Sequence, residues 1–197
     1  TSGIVMPSGT TEYRGGRGRG LIGGNFPANK NFLNALTIAT TGNAISFGTL
    51  ANDRSWGYAS ASSTRGVFAG GYNPTILTEI DYVTFSTGAG ANNFGDLRTA
   101  VKQGAGFSNS TRGLLATGAT TPNLMTDAIN FITISTGGSD QDFGDALERR
   151  RGAKGLASPT RGVFARGGLA DSGAAVVENA VEYVTIQSKG NSIDFGD

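Results

Sequence analysis

Side chains that could carry catalysis are scarce in this sequence. Ser and Thr are plentiful, but the 197 residues include no His and no Cys, so the usual general base, the thiolate nucleophile and the commonest metal ligand are missing. Asp140, Asp142 and Asp145 come closest to a calcium-binding pattern, yet they lack the spacing and the closing Glu of an EF-hand loop. The composition therefore predicts a protein that is not an enzyme and that uses no cofactor and no metal.

Two Gly-rich motifs are typical of ligand-binding proteins. Residues 18–23 match the G-x-G-x-x-G pattern of dinucleotide sites, which needs a following helix, but no helical periodicity follows. Residues 14–20 resemble an RGG segment that could contact RNA, although the net charge of the chain is only +1. Because the same position recurs three more times along the chain, we interpret both motifs as the start of a structural strand and expect no nucleic-acid partner.

The recurring motif is an Arg-Gly pair, two large apolar residues and then small residues ending in Gly. Its four copies begin at Arg19, Arg65, Arg112 and Arg161. An apolar segment containing Thr recurs with it, at Thr37, Thr84, Thr133 and Thr185. A Phe-Gly pair completes the unit, at Phe47, Phe94, Phe143 and Phe195. A period of about 49 residues indicates a repeat architecture.

Spacing separates fixed from variable parts of each repeat. From the Thr segment to Phe-Gly the step is 10 residues in every copy, and from Phe-Gly to the next Arg-Gly it is 18. From Arg-Gly to the Thr segment the step grows through 18, 19, 21 and 24 residues. Fixed spacing indicates segments that pair in one geometry, whereas variable spacing indicates a surface loop.

Each repeat is predicted to contain four short strands, called A to D. Strand A is the segment of small residues before Arg-Gly, strand B contains Arg-Gly, strand C contains the Thr, and strand D contains Phe-Gly. The absence of helical periodicity then predicts an all-β fold, a β-propeller of four blades with four antiparallel strands each. The single domain has predicted blades at about 1–50, 51–97, 98–147 and 148–197. The large pair of strand B should be core, with one residue facing each neighbouring blade: Leu21 and Ile22, Val67 and Phe68, Leu114 and Leu115, Val163 and Phe164.

The repeat resembles the kelch motif. In the second copy the matching positions are residues 67–71, Tyr82 and Phe94, although Phe-Gly stands where kelch repeats have Trp. The repeat is also similar to one in virion proteins of tailed phages, particularly phages of marine cyanobacteria. The residues that carry this second resemblance are 37–44, 80–84, 142–145 and 158–164. The resemblance implies a kelch-like propeller with strand A innermost and strand D outermost, and a virion or extracellular location.

Four repeats leave the closure of the ring open. They favour a disc closed within one chain, while an excerpt of a longer array and a ring shared between chains are the alternatives. The recurring Arg of Arg-Gly is predicted to be structural, bonded to carbonyls or to a carboxylate such as Asp96 or Asp145, rather than part of a ligand-facing ring. No apolar run approaches the roughly 20 residues that cross a bilayer, so membrane insertion is not expected.

Function is therefore expected to depend on loops. The variable B–C loops (about 24–31, 72–79, 119–127 and 168–179) share a face with the D–A loops, and aromatic, amide and Arg side chains there could bind sugars or anionic groups. The candidate binding residues are Asn25, Phe26, Lys30, Arg54, Tyr72, Asn73, Arg98, Asn123, Arg150 and Asp171. We expect a structural or adhesion module on a virion tail or capsid surface, contacting other virion or surface proteins or a host-surface glycan. The alternative is a free lectin-like or protein-binding propeller of cellular origin.

Overall fold

A computed structural model of the protein describes residues 18–24, 30–88, 90–165, 167–168 and 179–197. The strands of these ranges form four groups, called blades 1 to 4. Blade 1 contains β1 (Arg19–Gly23), β2 (Lys30–Thr37) and β3 (Ile45–Arg54). Blade 2 contains β4 (Tyr58–Ala61), β5 (Arg65–Ala69), β6 (Glu79–Thr84) and β7 (Asn92–Asp96). Blade 3 contains β8 (Ala105–Ser108), β9 (Arg112–Ala119), β10 (Met125–Thr133) and β11 (Gln141–Asp145). Blade 4 contains β12 (Lys154–Ala157), β13 (Arg161–Ala165), β14 (Val181–Thr185) and β15 (Ile193–Gly196).

Each blade is an antiparallel sheet whose strands lie side by side in chain order. Blades 2, 3 and 4 have the predicted strands A to D. Blade 1 has three described strands, and its predicted strand A falls on residues outside the described ranges. The prediction of an all-β propeller built from antiparallel sheets is confirmed. None of the described segments is a helix of the length and hydropathy that a membrane crossing requires.

The Phe-Gly pair forms a β-bulge at the same place in every blade. In blade 2, Ile80 lies opposite Gly95 and the next residue, Asp81, lies opposite Asn93, so Phe94 is the extra residue. The register shifts at the equivalent step in blades 1, 3 and 4. The Gly of the pair has φ between 134° and 152° in all four copies, a range that side chains disfavour. The bulge therefore explains why Phe is followed by Gly each time.

Strand A is the innermost strand of blades 2 to 4, as the kelch resemblance implied. The strands β4, β8 and β12 pack against one another from blade to blade. The space between them is small, since a Cβ at Gly106 would lie 2.3 Å from the carbonyl oxygen of Ala59. Close approach of backbones accounts for the Gly, Ala and Ser of this strand.

Every blade has two apolar faces, because successive residues of a strand point to opposite sides of the sheet. We call the side that bears the first large residue of strand B the forward face, and the side that bears the second the back face. In blade 2 these residues are Val67 and Phe68, and both are buried. The forward face of one blade packs on the back face of the next, and the three junctions form three apolar cores.

The predicted strand-B core is confirmed where a blade has neighbours on both sides. Both residues of the pair are buried in blades 2 and 3, and Phe164 of blade 4 is buried as well. Leu21 packs in the core between blades 1 and 2. The prediction is wrong for Ile22, which is exposed, and Val163 is only half-buried. These two residues lie on the outer sides of the first and last blades, where the described chain supplies no further blade.

The described blades therefore form an open arc with two apolar end faces. Ile22 and Ile38 are exposed on the back face of blade 1, and Leu156 and Phe195 are exposed on the forward face of blade 4. The disc closed within one chain, which the four repeats favoured, is not what these residues show. In a closed disc the two end faces would cover each other, but here both are exposed. Their apolar residues are equivalent to those that are buried at the three internal junctions.

Candidate functional site

Two of the predicted binding residues, Arg54 and Arg150, are internal. Arg54 ends β3 and is buried; it donates from Nη2 to Asp81 at 2.5 Å and from Nη1 to the carbonyl of Gly70 at 3.2 Å. Arg150 makes the same type of buried pair with Glu182 in blade 4. The two side chains therefore lie inside the molecule rather than on exposed D–A loops, because these connections run inward between blades. Burial raises the pKa of Asp81 and lowers that of Arg54, and attraction between the two opposes both shifts.

The Arg-Gly arginines join one blade to the next. Arg65 donates from Nη1 to the carbonyls of Ile134 and Ser135, at 3.0 and 2.9 Å, across the junction with blade 3. Its guanidinium lies 4.5 Å from the centroid of the Tyr82 ring in its own blade. Arg19 and Arg112 bond to carbonyls of their next blades in the same way. Their predicted structural role is confirmed, with carbonyl acceptors rather than Asp96 or Asp145.

On the face bearing the B–C loops, three side chains from different connections form a cluster, called the Trp56–Tyr72–Lys102 cluster. The Nζ of Lys102 lies 4.7 Å from the ring centroid of Tyr72 and 5.5 Å from that of Trp56. The two rings are 5.8 Å apart and inclined by 40°. Lys102 is buried, and its pKa is lowered first by that burial and then by the charge of Arg151. The cluster thus holds a partly desolvated cation between aromatic rings.

The backbone beneath the cluster is fixed by bonds between blades. The amide of Gln103 donates to the carbonyl of Trp56 at 2.8 Å, and the amide of Gly152 donates to the carbonyl of Gln103 at 2.6 Å. These residues occupy the same position of three successive repeats, and Trp56 and Gln103 have φ near +60°. Non-Gly residues with positive φ are uncommon and are often found at functional sites. The cluster is therefore built on a rigid part of the propeller.

A cavity of about 260 Å³ lies beside the cluster. Its wall combines Tyr72 and Ile76 from the B–C loop of blade 2 with Pro122 and Asn123 from the B–C loop of blade 3, and Lys102 lies between them. Two predicted binding residues, Tyr72 and Asn123, are thus brought together. Their loops are far apart in sequence, but adjacent blades place equivalent loops side by side.

The other predicted binding residues are more scattered. Arg98 is exposed, donates from Nη2 to Asn130 at 2.9 Å and lies 3.7 Å from buried Asp140. It lines a second cleft, of about 220 Å³, between blades 2 and 3. Asn73 follows Tyr72 and is half-buried, and Lys30 is exposed at the start of β2. The remaining three lie outside the described residues: Asn25, Phe26 and Asp171.

Sequence reasoning missed Trp56 and Lys102 as site residues. Trp56 is the one Trp of the chain, and it stands in a segment otherwise rich in small residues. That contrast was the available signal, since a Trp is unusual in a segment of mostly small residues. Lys102 carried no comparable signal, because its importance comes from burial beside two rings.

Comparison with known proteins supports the fold. No protein-family model matches the chain, and no curated protein matches its sequence. The structure is similar to that of YjhT, a kelch-repeat propeller protein, with a TM-score of 0.75 and 8% sequence identity. The match covers 91% of this chain and 62% of that chain, so the chain spans less than two thirds of the length of YjhT. At this identity the likeness shows the fold alone: the chain forms an all-β, kelch-like propeller of packed antiparallel sheets.

Proposed function

We propose that this protein is a non-enzymatic adhesion module that binds an acidic glycan on a host surface. The observation that carries the proposal is the position of Lys102 at the cavity between two B–C loops. Lys102 is a largely buried residue whose ammonium group lies over the rings of Tyr72 and Trp56, and within the described ranges no carboxylate pairs with it. A partly desolvated cation without a paired carboxylate favours an anionic ligand, because the ligand would compensate the cost of desolvation.

The neighbouring side chains fit a sugar that carries such a charge. Tyr72, which lines the cavity, offers aromatic surface with a polar edge, which suits a ligand that is apolar on one side and hydroxylated on the other. Asn123, on the opposite wall of the cavity, has an amide that can donate to and accept from hydroxyl groups.

The place of action follows from the repeats rather than from the site. Their similarity to repeats of phage virion proteins favours a virion tail or capsid surface, where the module would contact the host or other virion proteins. The second candidate is a free lectin-like or protein-binding propeller of cellular origin. Stoichiometric co-purification with capsid or tail proteins would support the virion module. A chain that does not co-purify with them but is retained on a glycan column would support the free propeller.

Binding to neutral, carboxylated and sulfated oligosaccharides tests the proposed ligand. We expect the charged sugars to bind, and Lys102→Met, which keeps the aliphatic stem, to weaken that binding about tenfold, as for loss of a charge-assisted contact. Lys189→Met is the matched control, since Lys189 also lies over an aromatic ring, 5.0 Å from the centroid of Phe131, but in a C–D connection. Equal binding by both variants, or preference for neutral sugars, would contradict the proposal.

A further inference from the structure

All three internal junctions of the arc contain the hydrogen bond of an Arg-Gly arginine, and the two junctions that blade 3 makes also contain a bond in the opposite direction. At each, the Arg-Gly arginine of one blade donates to carbonyls at the end of strand C in the next blade, as Arg112 does to Ile186 at 3.0 Å. In the opposite direction, the amide of Gly190 in the C–D turn of blade 4 donates to the carbonyl of Phe143 in blade 3 at 2.8 Å. Gly138 makes the equivalent bond to Phe94, at 2.7 Å. A junction therefore consists of apolar packing flanked by reciprocal polar contacts.

The forward face of blade 4 has one half of this junction, and no other described residue covers it. Phe195 is 57% exposed, whereas its equivalent Phe143 is 2% exposed in the junction between blades 3 and 4. Arg161 stacks on Tyr183, 4.8 Å from the ring centroid, as Arg65 does on Tyr82 and Arg112 does on Phe131. Its guanidinium has no carbonyl acceptor in the described part of the chain. Leu156, on the same face, is 78% exposed.

The back face of blade 1 has the complementary half. Ile38 is 65% exposed, whereas its equivalent Ile134 is 1% exposed in the junction between blades 2 and 3. Ile22 of strand B is exposed on the same face. By position in the repeat, the carbonyls of Ile38 and Ala39 correspond to the acceptors that Arg65 and Arg112 use.

We propose that the forward face of blade 4 binds the back face of blade 1 in a second copy of this chain. The contact would continue the interface of the internal junctions, with the apolar positions and the Arg donor that all three share and the reciprocal Gly-to-Phe bond that two of them have. Arg161 of one copy would donate to the carbonyls of Ile38 and Ala39 of the next, and Gly42 would donate to the carbonyl of Phe195. The match to YjhT agrees with an open arc, since the fold of YjhT extends beyond the part that these blades cover.

The contact is heterologous, because different surfaces of the two copies meet. Such contacts produce closed rings where the rotation permits and extended series of copies where it does not. Either product has a mass above the 20.1 kDa of one copy. Closure of one chain upon itself would instead occupy both faces without a change in mass.

Mass measured by light scattering during gel filtration, over a range of protein concentrations, tests the proposal. We expect the wild-type mass to rise with concentration, and Phe195→Asp or Ile38→Asp to give monomers, since each places a charge in one half of the interface. Both positions are exposed, so the variants should fold, which circular dichroism checks. Leu124→Asp is the control, because Leu124 is comparably exposed but lies in a B–C loop.

Mixing the two monomeric variants provides the decisive measurement. The Phe195→Asp copy keeps an intact blade 1 face and the Ile38→Asp copy keeps an intact blade 4 face, so the mixture should form one junction and stop at two copies. Arg161→Gln should weaken wild-type association about tenfold, through loss of charge-assisted bonds. A wild-type monomer at every concentration, an oligomer that both Asp variants leave intact, or a mixture that stays monomeric would overturn the proposal.

Discussion

At the scale of single residues, long charged side chains act as internal cross-links. Arg54 and Arg150 each pair with a buried carboxylate in the sheet they enter, and Arg65 reaches across a junction to two carbonyls. The chain is only 16% charged and has 32 Gly. The few long side chains therefore hold together backbones that Gly allows to approach closely.

The Arg54–Asp81 pair gives a prediction about stability. Asp81→Ala should lower the free energy of unfolding in urea by about 3–5 kcal/mol, because it leaves Arg54 buried without a counter-charge. Replacing both partners, as Arg54→Met with Asp81→Leu, should cost much less. Asp96→Ala, at an exposed carboxylate of β7, should change stability by no more than about 0.5 kcal/mol. A loss below about 1 kcal/mol for Asp81→Ala would contradict the cross-linking role.

Tyr58 gives a prediction about pH. Its hydroxyl is buried and donates to the carbonyl of Thr117, and burial, followed by the charge of Asp140, raises its pKa far above the usual value of about 10. When the pH rises above about 10, the unfolded chain releases the phenolic proton of Tyr58, whereas the folded chain keeps it because its pKa is higher. The stability that Tyr58 contributes is therefore complete below about pH 10 and declines as the pH rises further.

Comparison of Tyr58→Phe with wild type isolates this effect. The variant should be less stable by about 1 kcal/mol at neutral pH, for the lost hydrogen bond. That difference should stay constant up to about pH 9 and shrink above about pH 10, because Phe has no proton to release. A difference that is unchanged at the highest pH at which the protein folds would show that the hydroxyl ionises equally in both states.

At the scale of elements, the Phe-Gly bulge decides how a blade meets its neighbour. A Cβ at Gly95 would lie 2.5 Å from the carbonyl oxygen of Gly138, in the C–D turn of the next blade. A Cβ at Gly144 would lie 2.4 Å from the carbonyl oxygen of Gly190. The bulge places Phe in the core and at the same time brings the turn of the next blade against the Gly.

Gly95→Ala should therefore destabilise the protein by more than about 1 kcal/mol, since both its φ of +150° and its contact with Gly138 oppose a side chain. Gly144→Ala should have an effect of similar size. Gly90→Ala is the control, because the nearest atom to a Cβ there is 3.5 Å away and its φ is not positive. Thermal unfolding of the three variants measures the difference, and equal midpoints would contradict it.

At the scale of the whole molecule, the arc has strong internal junctions and free ends. Substituting equivalent residues should therefore change the free energy of unfolding by different amounts in inner blades and in end blades. Phe143→Ala should cost about 3–5 kcal/mol, because Phe143 is buried at a junction. Phe195→Ala, at the same position of the last blade, should change the stability of a dilute monomer by about 0.5 kcal/mol or less. Equal costs in urea unfolding would show that the last blade is covered within its own chain.

The propeller architecture was predictable because short sequence motifs mark the same strands in each repeat. Strand order, the strand-B core pair of the inner blades and the structural role of Arg65 follow from residues that recur at constant spacing. A pattern of this kind survives in the fold because equivalent segments pair in the same geometry in every blade. The variable B–C spacing likewise indicated where loops project.

The tertiary structure alone decided the features that do not repeat. The buried pairs of Arg54 and Arg150 join residues about 30 positions apart in two blades, while blade 3 has Val101 and Asn130 at those positions. The Trp56–Tyr72–Lys102 cluster unites three separate connections, which only the packing of neighbouring blades brings together. Whether the ends stay open depends on the rotation angle between successive blades. That angle is set by the bulk of all the side chains in each interface. The sequence pattern of four intact repeats is therefore the same for a closed disc and for an open arc.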